Sequence, residues 1–236
     1  MVSLVFAMLA AHVAAAFASI ALDDLIYLDA SSGVAIAWVT LVHSARDSRN
    51  AIVSGLVCCW SLRLSFHLIA RRVLLGKVSS RCLVPPARAV FSFAVSRLIW
   101  SLMVVTTSYE QAARGIVLGT ALFAWGLSSV ILQARSDYEL LQHRLRCKVS
   151  GSHDPLMTGM WRRSRHPNMF FELVFHVGLC LLSVDLSRAS PRCLASLCAS
   201  FVCVAVLPGG VKTLESRAEN TWGLRNDYRE YRSSTW

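Results

Sequence analysis

The sequence predicts an all-α, multi-pass transmembrane helical bundle of about seven spans, closed by a short cytosolic amphipathic C-terminal segment. Three observations carry that prediction. Of the 236 residues, 55% are hydrophobic and only 16% are charged, whereas soluble domains sit near a quarter charged. The apolar residues gather into segments long enough to cross a hydrocarbon core of about 30 Å at about 1.5 Å per residue. The cations collect in the short stretches between those segments. A formal charge of +10 would suggest nucleic acid for a soluble chain, but cations placed in this way set topology, and no nucleic-acid partner is expected.

Taken in order, Met1–Leu22 is uncharged and forms a first span. It lacks the basic start of a signal peptide, although its alanine-rich end resembles a cleavage site; residues 23–236 then form a single membrane domain. Leu25–Val42 is a second, weaker span carrying Asp29 and a turn-like Ala30-Ser31-Ser32-Gly33, a break that membrane depth tolerates only against protein or a wet cavity. Ala51–Ala70 is a third span with Trp60, Arg63 and His67. Arg63 and His67 are four apart, so they share a face directed at the bundle interior or a headgroup; the plainer reading is that Arg63 snorkels to the interface.

The stretch Arg71–Arg88 holds five cations, no acid and Pro85-Pro86, which reads as a basic connector. Val90–Thr107 and Gly115–Leu132 are the fourth and fifth spans, and Arg97 in the fourth should pair within the bundle. No breaker interrupts Asp137–Arg146, so the fifth helix should continue beyond the membrane, with Asp137 and Arg144 on one face. Gly151, Pro155 and Gly159 then turn the chain. Met169–Val184 is the sixth span and Cys193–Val211 the seventh, followed by a polar tail, Lys212–Trp236, read as a short amphipathic helix and then a surface segment. Cys58, Cys59, Cys180, Cys198 and Cys203 lie inside apolar spans without a C-x-x-C pair; they are small buried hydrophobes, and no metal site is expected. The connector after span three, the loop after span five and the tail hold most of the cations, and an even number of crossings separates them. The positive-inside rule puts all three in the cytosol.

One stretch stands apart. Arg162–Glu172 packs three arginines, a histidine, an asparagine and a glutamate into eleven residues at the start of span six. Pro167 suits a first helical turn, and Asn168, Glu172 and His176 then follow at spacings of four along one face. A glutamate at membrane depth costs a few kcal/mol or more unless it is paired or faces a polar cavity, so it marks a functional site by default. The plainer reading is a basic cluster that anchors phospholipid, with Glu172 salt-bridged to a neighbouring arginine. The functional reading is a ligand with anionic phosphates, held by arginine and a helix start, and an amide-bearing end held by asparagine and glutamate. A nicotinamide dinucleotide or a sulfonium methyl donor fits. No G-x-G-x-x-G, P-loop or G-x-S-x-G motif offers a soluble cofactor fold or a nucleophile elbow.

Ser164–Glu172 resembles the S-R-H-P-N-Y-F-G-E signature of the membrane family related to the C-terminal domain of steroid 5-alpha-reductases. Trp60–His67 is similar to that family's W-x-L-R-L-x-x-H helix, and Leu28–Gly33 to its V-D-x-x-W-G motif. Ser136–Arg144 resembles its aspartate-led cytosolic helix, and Leu214-Glu215 with Asp227–Tyr231 its L-E and D-Y-x-x-Y ending. The resemblance covers the chain from about residue 23 onward. It implies a membrane reductase, of the endoplasmic reticulum in a eukaryotic source, that binds NADPH from the cytosol and passes hydride to a carbon–carbon double bond of a membrane lipid or sterol-like substrate. It further implies that Asp137, Arg144, Arg165, His166, Asn168, Glu172, Glu215 and Tyr228 hold the cofactor, with Asn168 and Glu172 nearest the nicotinamide. Asp29, Arg63 and His67 fall on the substrate side, and no residue is identified as the proton donor. Phe171 replaces the signature glycine, Met169 the tyrosine and Ser32 the tryptophan, while the family's D-Y-R-Y stretch is not legible in Ser80–Pro86. Isoprenylcysteine carboxyl methyltransferases share part of the pattern, which keeps an S-adenosylmethionine-dependent methyltransferase as an alternative. A non-catalytic scaffold retaining the fold is a third reading.

Overall fold

The computed structural model describes residues 2–21, 26–46, 51–76, 116–183 and 210–235, and all regular structure within them is helical. The elements are α1 (Val2–Ala21), α2 (Ile26–Arg46), α3 (Ala51–Leu75), α4 (Ile116–Ser150), a 3-10 turn (Gly159–Arg162) and α5 (Pro167–Ser183). The tail adds α6 over 210–222 and α7 (Asn226–Ser234). The basic connector beyond residue 76, the Val90–Thr107 span with Arg97, and most of the Cys193–Val211 span lie outside the described residues. So, therefore, does the count of about seven spans.

Three expectations are corrected. The turn-like Ala30-Ser31-Ser32-Gly33 is no break, since α2 runs through it without interruption. These small residues instead bring two helices together: Ser65 Oγ donates to the Ala30 carbonyl at 2.7 Å, and a Cβ on Gly33 would sit 2.2 Å from Ser65 Oγ and 2.7 Å from the Ser61 carbonyl oxygen. Among apolar helices, small residues mark close backbone approach more than turns. Helix α3 also passes Ala70 and runs to Leu75, with Arg72 in its last turn, where cations favour the helix dipole. Gly76, at φ 78°, ends it by returning its N–H to the Arg72 carbonyl at 3.1 Å. The third correction concerns the tail. The residues read as a surface segment form α7, whose Tyr228 is only 3% exposed.

Helices α2 and α3 form the broadest contact, followed by α4 with α5. Cys58 Sγ donates to the Ala37 carbonyl while Ser65 meets Ala30, so α2 and α3 are antiparallel. Arg63 pairs with Asp137 and Lys148 Nζ reaches the Leu74 carbonyl at 3.1 Å, so α3 and α4 are parallel. Trp125 Nε1 donates to the Val174 carbonyl at 3.0 Å and Gln133 reaches Glu172, so α5 returns antiparallel to α4. The α4 helix has 35 residues, about 52 Å long, and it carries the polar Asp137–Arg146 stretch past the apolar part as expected. Gly151, at φ 70°, stops it.

The core holds Met8, Ile36, Leu56, Val57, Trp60, Phe175 and Leu179, with Trp60 and Phe175 stacked at 5.5 Å. Polar groups are unusually frequent inside: His12, Ser32, Thr40, Ser61, Ser65, Gln133, Asp137 and His176 are all buried. Large apolar side chains point outward, among them Phe17, Phe66, Val73 and Ile131. That inversion suits lipid, where small polar residues mediate helix contacts and apolar ones face the tails. Val53–Leu75 is long and apolar enough to cross a membrane, and Met8–Ser19 and Asp29–Val42 are shorter apolar helical stretches. These features point to a membrane protein.

Candidate functional site

Three helices supply the centre of the site. Arg63, on α3, and Asp137, on α4, form an ion pair with both side chains about nine-tenths buried. From the first turn of α5, Asn168 Nδ2 donates to the other Asp137 oxygen at 3.1 Å, and Asn168 Oδ1 accepts the Met169 N–H at 3.0 Å. One turn deeper, Gln133 Nε2 donates to Glu172 Oε2 at 3.2 Å. Pro167 at the first helical position of α5 sets this register, because its ring fixes φ where no amide donor is needed. The spacing of four on α5 then matches the spacing of four between Gln133 and Asp137 on α4, so the two polar pairs stack as rungs.

The rungs keep spare hydrogen-bonding capacity. Arg63 Nε and Nη2 and Gln133 Oε1 are buried and have no hydrogen-bond partner among the described residues. Burying such groups unpaired costs about 1–3 kcal/mol each, more where charged. Two donors and one acceptor are complementary to a carboxamide, which offers an acceptor oxygen and donor hydrogens.

A second polar group lies at the start of α5. Glu215, on α6, accepts from His166 Nε2 at 2.5 Å and lies 3.2 Å from Arg165 Nε. Arg165 Nη1 also donates to the Arg232 carbonyl at 2.8 Å and to the Thr235 carbonyl at 3.2 Å, holding the end of α7 over the loop. Trp161, buried in the 3-10 turn, ties both groups together. Its Nε1 donates to the Ser136 carbonyl at 3.2 Å, and its own carbonyl accepts the Tyr231 hydroxyl at 2.5 Å. Burial pushes the Tyr231 hydroxyl up to about 12 against the opposing pull of the Arg165 guanidinium, so it remains a donor at neutral pH. Burial likewise pushes Tyr228 up; its ring packs 5.8 Å from Trp222 and 6.2 Å from Tyr231. Glu139 accepts the Met160 N–H at 2.8 Å, and Gly159, at φ 62°, leaves no room there for a Cβ.

The tail is clasped farther out. Arg225 bridges Asp154 and Asp227, at 2.7 Å each, and its hydrogen bonds hold both carboxyls below the usual carboxylate range. Trp222 Nε1 donates to the His153 carbonyl at 2.6 Å.

The structure therefore gathers Arg63, Asp137, Asn168 and Glu172 into one buried strip, and Arg165, His166, Glu215 and Tyr228 around the adjoining loop and tail. His67, one turn from Arg63, is within electrostatic reach of Asp137. Asp29 precedes Ala30, whose carbonyl meets Ser65, so it stands at the level of the Arg63–His67 stretch. Arg144 is exposed on α4 and lines a separate cavity of about 440 Å³ with His143, Cys147 and Trp222. Gln133 and Trp161 escaped the sequence reading. A glutamine four residues before Asp137 in an apolar span was the available signal; Trp161 gave none, because its role depends on chain folding back from the tail. Among the described residues Glu172 accepts from the Gln133 amide.

No curated protein and no solved structure matches this chain. Residues 24–235 match the model of a family described as "Protein of unknown function (DUF1295)", which spans every site residue named above. The buried strip, the loop and the docked tail thus fall within one family module, and the chain belongs to the DUF1295 family.

Proposed function

We propose that this chain is a multi-pass membrane reductase that binds NADPH from the cytosolic side, in the endoplasmic reticulum of a eukaryotic source, and reduces a carbon–carbon double bond of a lipid or sterol-like substrate. The observation that carries the reading is the buried strip Arg63–Asp137–Asn168 with Gln133–Glu172 one turn deeper. Its spare donors and acceptor suit a nicotinamide carboxamide, and the Arg165, His166 and Tyr228 group suits the anionic remainder of a dinucleotide. The cofactor, when bound, supplies the hydride. The chain's part is to orient the carboxamide, to hold Asp137 in place through Arg63 and to exclude water by packing the tail over Trp161. The resemblance of Ser164–Glu172 and Trp60–His67 to the steroid-reductase-like signature supports the same reading. Phe171, in place of the signature glycine, lines a cavity with Arg162, Arg163 and Phe170, whereas Asn168 and Glu172 engage Asp137 and Gln133.

Purified protein in detergent is expected to melt at a higher temperature with NADPH and not with S-adenosylmethionine, because a ligand bound only by the folded state stabilises it. Glu172→Gln should abolish the NADPH shift. A shift with the methyl donor alone would assign the site to methyl transfer, and no shift with either would favour a scaffold.

A further inference from the structure

Between α4, the 3-10 turn and the start of α5, a cavity of about 760 Å³ is lined by Arg135, Arg162, Arg163 and Ser164 together with Phe170 and Phe171. The lining contains three guanidiniums and no carboxylate. Arg135 shares Glu139 at 3.3 Å, whereas neither Arg162 nor Arg163 makes a side-chain ion pair among the described residues. The two faces of α5 are distinct: Pro167, Phe170 and Phe171 turn to this cavity, while Asn168 and Glu172 turn to α4. Leu132 continues the wall, and Ile131 and Phe170 beside it are exposed, so the cavity opens onto an apolar flank.

We propose that this cavity takes the phosphate headgroup of an anionic phospholipid, with the acyl chains lying along Leu132, Ile131 and Phe170. Guanidinium groups bind phosphate oxygens in two-point fashion, and Arg162 and Arg163, which share no carboxylate among the described residues, fix the sign of the ligand. The apolar half of the lining separates a lipid from a free phosphate, because a soluble anion gains nothing from two phenyl rings. The depth agrees, for the arginines precede Pro167 at the point where α5 turns apolar. The proposal rests on the membrane placement and is independent of the reductase reading.

The test is a thermal-shift titration of the full chain in a neutral detergent with dioctanoyl phosphatidic acid, dioctanoyl phosphatidylcholine or inorganic phosphate. Phosphatidic acid should raise the melting temperature, and the other two should not at equal concentration. Arg162→Gln/Arg163→Gln should weaken the apparent affinity by roughly tenfold or more, given the strength of charged hydrogen bonds. A charge-matched control, Arg146→Gln/Arg217→Gln, should respond like the unaltered chain. Equal response to phosphatidylcholine or inorganic phosphate, or an undiminished response in Arg162→Gln/Arg163→Gln, would overturn the proposal. Displacement of phosphatidic acid by NADPH would also overturn it, by assigning these arginines to the dinucleotide.

Discussion

Asp137 is where the account is most exposed, because its carboxylate satisfies two partners at once. Arg63 Nη1 donates to one oxygen and Asn168 Nδ2 to the other, and the two charged side chains are 11% and 8% exposed. Replacing Asp137 by leucine strips Arg63 of its only described acceptor, adding Nη1 to the Nε and Nη2 atoms that already lack one. Breaking a buried pair from one side costs about 3–5 kcal/mol, because an uncompensated charge remains. Asp137→Asn keeps an acceptor for Arg63 and loses the charge, which places its cost nearer 1–3 kcal/mol (roughly the value of one charged hydrogen bond). Removing both charges, in Arg63→Leu/Asp137→Leu, should cost less than Asp137→Leu alone, since paired burial of ions is roughly balanced by desolvation. The assay is reversible unfolding in mixed micelles by titration with dodecyl sulfate, followed by tryptophan fluorescence. A loss below about 1 kcal/mol for Asp137→Leu, or single-variant losses that simply add in the double variant within about 0.5 kcal/mol, would refute the paired-strip reasoning.

Three further outcomes follow from particular contacts. The Asp154 and Asp227 carboxyls are held low by Arg225, so their contribution to tail docking is fully present above the ordinary carboxylate value of about 3.9 and is lost as pH falls through the depressed folded values. Hydrogen exchange of the His153–Asp154 amides should therefore be flat from neutral pH to about pH 5 after correction for intrinsic rates, with Arg225→Gln raising exchange across that window. Gly33→Ala should destabilise by about 1–3 kcal/mol or more through overpacking, because the Ser61 carbonyl that its Cβ would meet is backbone and cannot rotate away; an unchanged dodecyl sulfate midpoint would show that α2 and α3 are less tightly apposed. Gln133→Leu should reduce the NADPH-dependent melting shift while leaving the phosphatidic-acid shift intact, and equal loss of both would point to general unfolding.

Much of the helical frame was legible because its causes are local. Hydrophobic runs, the unbroken Asp137–Arg146 stretch, Pro167 at a helix start and Gly151 at a helix end each act within a few residues. The misreadings arose where a residue type means different things in water and in lipid. Ala30-Ser31-Ser32-Gly33 is a turn signal in a soluble chain, yet here it lets α2 approach Ser61 and Ser65. The site was half legible on the same grounds. Asn168, Glu172, Arg63 and Asp137 stood out as polar groups in or beside apolar spans, and their mutual spacing on each helix gave the facing side. What the sequence lacked was the partner across the gap: that Asp137 takes Arg63 from α3 and Asn168 from α5, or that Gln133 meets Glu172, depends on the relative register of three helices. The docking of the tail was not legible for a like reason, since Trp222 reaches the His153 carbonyl and Tyr231 the Trp161 carbonyl across some seventy residues of sequence.

Isotope tracing tests hydride transfer from NADPH at the Asn168–Glu172 strip. Membranes bearing the chain are incubated with NADPH carrying deuterium at the transferable nicotinamide position, and their lipids are compared by mass spectrometry with those from membranes bearing Glu172→Gln. A lipid species should gain one deuterium on carbon together with one solvent hydrogen in membranes bearing the unaltered chain and not in those bearing the variant. A lipid that gains a methyl group from S-adenosylmethionine, or no labelled species in either membrane, would contradict it.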